Sequence, residues 1–400
     1  MQTPTLETST ALPATAPGTP APPFGVNAMR LTGRQWLVTI AIVLVCALVV
    51  PRVWKKFEPF PTGPDYRIPY ALSKDYWLYE RRLQQDAAPD KVVILGDSVV
   101  WGEYVRPAGT LSHYLDQETA QPGRFLNGGV NGLFPLALEG LVENYAGELH
   151  DRKIIVHFNL LWLTSPKADL SAEKEELFNH SRLVPQFSPR IPCYRADANE
   201  RLSAVLDRHV GFFAWANHLQ NAYYDQRTIP QWTLEQDDSN PPKCPNAWRN
   251  PLAPLTSGIP GEPADDPQRG PTSPRHKPWN ASGAEPTDFD WVDLDASLQW
   301  KAFERVTDLL RARGNDVLIV IGPFNEHMIA TDQQPQYRAL RDAAAGRLAQ
   351  KQMSVIVPDV LPSDLYADAS HPLTEGYARL AKEIAAQKMF QQWLAGKGLR

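Results

Sequence analysis

The sequence predicts an α/β fold, a five-stranded parallel sheet with helices on both faces, plus an N-terminal transmembrane helix and a large insertion. Three observations carry this. Four short runs rich in Val and Ile, KVVIL (91–95), KIIVHF (153–158), DVLIVI (316–321) and SVIVP (354–358), are apolar without alternation, the pattern of strands buried on both faces. Apolar residues at helical spacing lie between the later runs, giving the strand-helix alternation of a parallel sheet. Finally, the seventeen residues between Arg34 and Arg52 carry no charge. The chain has 400 residues, 43% of them hydrophobic, enough for a sizeable core. Its net charge is -5 with Lys and Arg dispersed, which argues against nucleic acid as a partner.

In chain order, residues 1–29 are a Pro/Thr/Ala-rich tail with few large apolar side chains and are expected to be disordered. Residues 30–56 form the membrane anchor, with Trp36 and Trp54 where interfacial side chains belong. No small-x-small cleavage site follows the apolar run, and no small residue precedes Cys46, so an uncleaved anchor is favoured over a signal peptide or lipoprotein. Arg30 and Arg34 on one side nearly balance Arg52, Lys55 and Lys56 on the other, so charge leaves the orientation open.

Residues 57–164 carry the first part of the α/β domain. KVVIL runs into Gly96-Asp97-Ser98. At the carboxyl end of a parallel strand, where ligands bind and helices start, a serine can serve as nucleophile or as helix cap. RFLN (124–127) reads as a weaker fifth strand, followed by the glycines of FLNGGVNG, which offer Gly132 N–H. The third strand is followed by Asn159. Backbone and side-chain donors of this kind can hold a tetrahedral oxyanion.

Residues 165–295 are an insertion: a charged helical run KADLSAEKEELFNH, an aromatic segment HVGFFAWANHLQNAYY, then a Pro-rich irregular stretch. Its aromatic residues Phe212, Phe213, Trp215, Tyr223 and Tyr224 suit a small core, sugar stacking or a membrane surface. His180 and Arg182 are not placed by the sequence. Cys193 and Cys244 suit a disulfide in an oxidising compartment, and no His/Cys cluster has metal-site spacing, so no metal is expected.

Residues 296–400 resume the alternation. Leu298, Phe303, Val306 and Leu310 mark one helix, Tyr337, Leu340 and Leu348 a second, and Leu373, Tyr377, Leu380 and Ile384 a third with Pro372 at its first turn. Between the last strand and last helix stand Asp368 and His371. They fall on the same sheet edge as Ser98, where a histidine can take the serine proton and an aspartate can orient it.

With these residues assembled, the chain resembles the SGNH/GDSL hydrolase family over about residues 88–164 and 296–396. The likeness lies in Gly96-Asp97-Ser98, in Asn127 through Gly132, and in Asp368 with His371. It implies a flavodoxin-like three-layer sandwich, with Ser98 as nucleophile, His371 as base and Asp368 as its partner. The implied oxyanion donors are Ser98 N–H, Gly132 N–H and the Asn159 side chain, and no cofactor is implied. The third block departs from the family's Gly-x-Asn-Asp, reading His157-Phe158-Asn159-Leu160, and His157 suits the core. Pro323 and Asn325 are similar to a Pro-x-Asn stretch of membrane-anchored relatives linked to cell-wall or exopolysaccharide O-acylation, which makes Asn325 a substrate-binding candidate. The expectation is therefore a serine esterase or O-acyltransferase of acylated envelope carbohydrate. It would be single-pass in a bacterial inner membrane, with the domain outside the cytoplasm and a membrane-bound acyltransferase as candidate partner. Alternatives are a noncatalytic glycan-binding scaffold and a lipid esterase.

Overall fold

β1 (Val92–Gly96), β2 (Phe125–Gly129), β3 (Lys153–Phe158), β4 (Asp316–Ile321) and β5 (Ser354–Ile356) form one sheet. All pairs are parallel, in the order β2-β1-β3-β4-β5. The computed structural model describes residues 31–234, 249–256, 258–261 and 277–396. The N-terminal tail, Cys244 with its expected link to Cys193, and much of the Pro-rich stretch lie outside the described residues.

The helices, in chain order, are α1 (Gly33–Phe57), α2 (Tyr76–Asp86), α3 (Ser98–Trp101), α4 (Leu111–Glu118), α5 (Pro135–Tyr145), α6 (Ala198–His209), α7 (Gly211–Tyr223), α8 (Ile229–Leu234), α9 (Leu298–Ala312), α10 (Gln334–Gln350), α11 (Thr374–Ala386) and α12 (Lys388–Leu394). Contacts divide the chain into two units, Met1–Val49 and Val50–Arg400. α1 is long and apolar enough to cross a membrane.

Period-2 alternation along the strands builds two cores. Val92, Ile94, Phe125, Ile155, Leu318 and Val320 face α4, α11 and α12. Val93, Leu95, Leu126, Ile154, Val156 and Ile319 face α2, α5, α9 and α10. This is the expected three-layer arrangement. Both strand faces are dry, which is why the runs are apolar throughout.

Four local expectations are corrected. β2 extends into Gly128 and Gly129, because its end closes against α3: a Cβ on Gly129 would lie 2.4 Å from Trp101 N. β5 is only three residues long and ends before Pro358. α11 starts at Thr374, two residues past Pro372. The run 167–180 is not helical; its charges leave no apolar stripe to bury. Instead Asp169 turns inward and accepts from Leu298 N (3.1 Å) and Gln299 N (3.0 Å), capping α9.

In the second unit, Glu58 directly follows α1 and anchors a buried charge cluster. His218 of α7 lies between two carboxylates, Nδ1 2.7 Å from Asp75 Oδ2 and Nε2 2.8 Å from Glu58 Oε1. Arg81 pairs with the other Glu58 oxygen, and Tyr223 donates to Oε1. Two carboxylates face one imidazolium and one guanidinium, so the cluster is neutral. Burial alone would lower the His218 pKa, but Asp75 and Glu58 outweigh it and push it up to about 9. His218 therefore stabilises the fold fully below its unfolded value near 6.5, and this is lost as pH rises toward about 9. Denaturant titrations from pH 6.5 to 9.5 are expected to show a loss on the order of 3 kcal/mol that His218→Gln flattens.

Candidate active site

The chain starts its sheet at β1, adds β2 on one side and then β3 on the other, so the topology switches between the carboxyl ends of β1 and β3. Loops diverge there and leave room for a ligand. Ser98 and Asn159 follow those two strands.

Ser98 is the first residue of a single helical turn. Such a turn has no intrinsic stability, and buried polar groups hold this one at both ends. Asp97 caps it by accepting from Val99 N (3.0 Å). At the other end Arg67 donates to the carbonyls of Trp101, Gly102 and Val105, and Asn127 Nδ2 donates to Val100 O (2.8 Å). Gly96 is required here: a Cβ would lie 2.5 Å from Val100 Cγ2 and 2.9 Å from His157 Cβ.

The Asp97 carboxylate is buried. It also accepts from Asn159 Nδ2 (2.8 Å), and His157 Nδ1 lies 3.2 Å away, an ion-pair distance without hydrogen-bond alignment. Burial raises the Asp97 pKa, yet His157 and Asn159 more than offset it, so the net shift is downward.

The last loop brings His371 to Ser98. Its Nε2 lies 2.8 Å from Ser98 Oγ, and its Nδ1 lies 2.8 Å from both oxygens of Asp368. A carboxylate only accepts, so Nδ1 carries the proton and the neutral ring receives the serine O–H at Nε2. Asp368 is fixed by its own loop, accepting from Ser370 N and His371 N at 2.9 Å each. Burial works against both charges, but their attraction wins: the Asp368 pKa is lowered to about 2 and that of His371 is raised.

The oxyanion candidates differ in how the structure presents them. Ser98 N–H, at the first helical position, has no intrahelical acceptor. Asn159 has committed one amide hydrogen to Asp97, and its side chain is wholly buried. Gly132 (φ +71) sits in the turn after β2, where a Cβ would lie 2.4 Å from Asn179 Nδ2. No hydrogen bond joins it to Ser98 or His371 among the described residues. It lines a cavity of about 660 Å³ with Phe134, Ala137, Leu170, Phe178 and Val184, between the loops after β2 and β3.

Asn325 is not a pocket-wall residue. It is wholly buried, with Nδ2 donating to Asp368 O (3.1 Å) and its N–H to Ala369 O (2.8 Å), so it shapes the loop that carries Asp368 and His371. His180 is interior as well. Its Nε2 is 2.7 Å from Asn131 O and therefore carries the proton, leaving Nδ1 to accept from Tyr76 O–H (2.9 Å). Burial, partly offset by the Asn131 bond, lowers its pKa to about 4, so it supports the Gly132 turn as a neutral ring. His157 is buried in the core as expected. Among the described residues no group of three His, Cys, Asp or Glu is placed to hold a metal.

Tyr104 escaped sequence reasoning. Its hydroxyl donates to Asp368 Oδ2 (3.0 Å), and its ring meets His371 edge-on at 5.2 Å. No spacing signals this, because Tyr104 and Asp368 are 264 residues apart. No family model matches this chain, and no curated protein matches it.

Tyr104→Phe removes the hydroxyl that bonds Asp368. Phosphonylation of Ser98 by a fluorophosphonate, followed as a second-order rate constant, is expected to fall by about 10–150-fold, the loss of one hydrogen bond to a charged group, with an unchanged unfolding midpoint.

Proposed function

We propose that the protein is a serine-dependent ester hydrolase or O-acyltransferase acting through an acyl-serine intermediate. The observation that carries it is the hydrogen-bonded chain from Ser98 Oγ through His371 to Asp368. The resemblance to the SGNH/GDSL family supports the same chemistry.

In this scheme Ser98 Oγ bonds to the ester carbonyl carbon as its proton passes to His371 Nε2. The oxyanion accepts from Ser98 N–H, Gly132 N–H and the remaining Asn159 amide hydrogen. Collapse breaks the ester C–O bond, and the departing alcohol takes the proton from Nε2. Water or an acceptor hydroxyl, deprotonated by the same nitrogen, then releases the acyl group and restores Ser98. Water makes the protein an esterase; a sugar hydroxyl makes it a transferase. A candidate membrane span and family likeness favour O-acylated envelope carbohydrate, with the domain outside the cytoplasm of a bacterial inner membrane.

A fluorophosphonate probe is expected to label the full chain, to leave Ser98→Ala unlabelled, and to label Asp368→Asn about 10²–10⁴-fold more slowly. Failure to label folded protein would leave a noncatalytic binding protein. Labelling needs neutral His371, whose pKa is raised. Its rate should therefore climb with pH through a midpoint above about 6.5, and a midpoint below that value contradicts the pairing with Asp368.

A further inference from the structure

We propose that the amino-terminal end of α7 docks on the bilayer that α1 enters, with Val210, Phe212 and Phe213 among the lipid headgroups. The proposal rests on α1 being a membrane span. α7 is divided along its length. Its second half is buried through His218, Leu219, Ala222 and Tyr223, while Phe213 is 41% and Val210 39% exposed at its start.

This apolar end lies beside the juxtamembrane residues. The Phe212 ring is 5.5 Å from Trp215, Trp215 is 6.0 Å from Trp54, and Trp54 is 6.2 Å from Tyr223. Trp54 is three residues beyond Pro51, where the charge-free run ends. α1 stays helical through Phe57, so Trp54 lies about 4.5 Å beyond Pro51 along the helix, and the headgroup layer adds about 5–8 Å to each side of the hydrocarbon. Trp54 is thus within reach of that layer, and Phe212 is two ring contacts from Trp54.

The chemistry of the surroundings fits lipid. Phe57 is 80% exposed, Val53 is exposed next to it, and Arg52 and Lys56 add cationic heads. Apolar and aromatic side chains interleaved with basic ones suit an anionic interface. α7 cannot swing away from this place, because His218 and Tyr223 on the same helix bond to Glu58.

The test places nitroxide labels in the full chain, with Cys46 and Cys244 replaced by Ser, in phosphatidylcholine/phosphatidylglycerol nanodiscs. Labelled positions are Val43→Cys in the span, Val210→Cys and Phe213→Cys at the proposed contact, and Leu202→Cys on α6. Leu202 is 52% exposed, eight residues or about 12 Å along a helical path from Val210. Accessibility to oxygen is compared with accessibility to a water-soluble nickel complex. The expected ratio at 210 and 213 shifts away from that at 202 and toward that at 43. A lipid-like 43 with 210 and 213 matching 202 overturns the docking alone, while a nickel-accessible 43 overturns the span and the docking together. Positions 210 and 213 are both exposed and report independently, so one poorly folded variant does not remove the test.

Discussion

A carboxylate sealed from water must draw its donors from the protein, and where Asp97 draws them fixes the carboxyl edge of the sheet. One oxygen caps the turn that carries Ser98, and the other takes a hydrogen from Asn159 beyond β3. The two strand ends on either side of the topological switch are thus held by one buried group. Its neighbour His157 supplies favourable potential from within β3. Replacing Asp97 by an apolar residue would strand the Val99 N–H and an Asn159 hydrogen together, which is costlier than losing a surface contact.

The second half of the site is built separately. Asp368 is gripped by two backbone amides of its own loop, and Asn325 holds that loop from the end of β4. Tyr104, three residues past the helical turn Ser98–Trp101, reaches across to the same carboxylate. The two loops meet at the Ser98 to His371 hydrogen bond.

The strands were legible because burial on both faces leaves no room for polar residues. Ser98, His371 and Asp368 were legible because strand ends collect ligand-binding groups. Other features depend on partners that only the tertiary structure defines. Arg67, His180 and Asn325 bind backbone carbonyls, which a side-chain pattern does not mark. α2 is unread because Arg81 and Arg82 lie on its buried side, diluting the apolar stripe. The glycines of β2 suggested a loop, although they serve a close backbone approach within the sheet. The run 167–180 looked helical from composition, but Asp169 is committed to another helix.

The hydroxyl and the imidazole it meets are separated by 273 residues of chain. At a translation speed of about 5–20 residues per second, a ribosome needs roughly 15–55 s to pass from one to the other. Throughout that interval the growing polypeptide displays a serine without its imidazole partner. Their hydrogen bond waits on the completion of the fold's final strand and helices, so a chain stalled or clipped in the insertion lacks it.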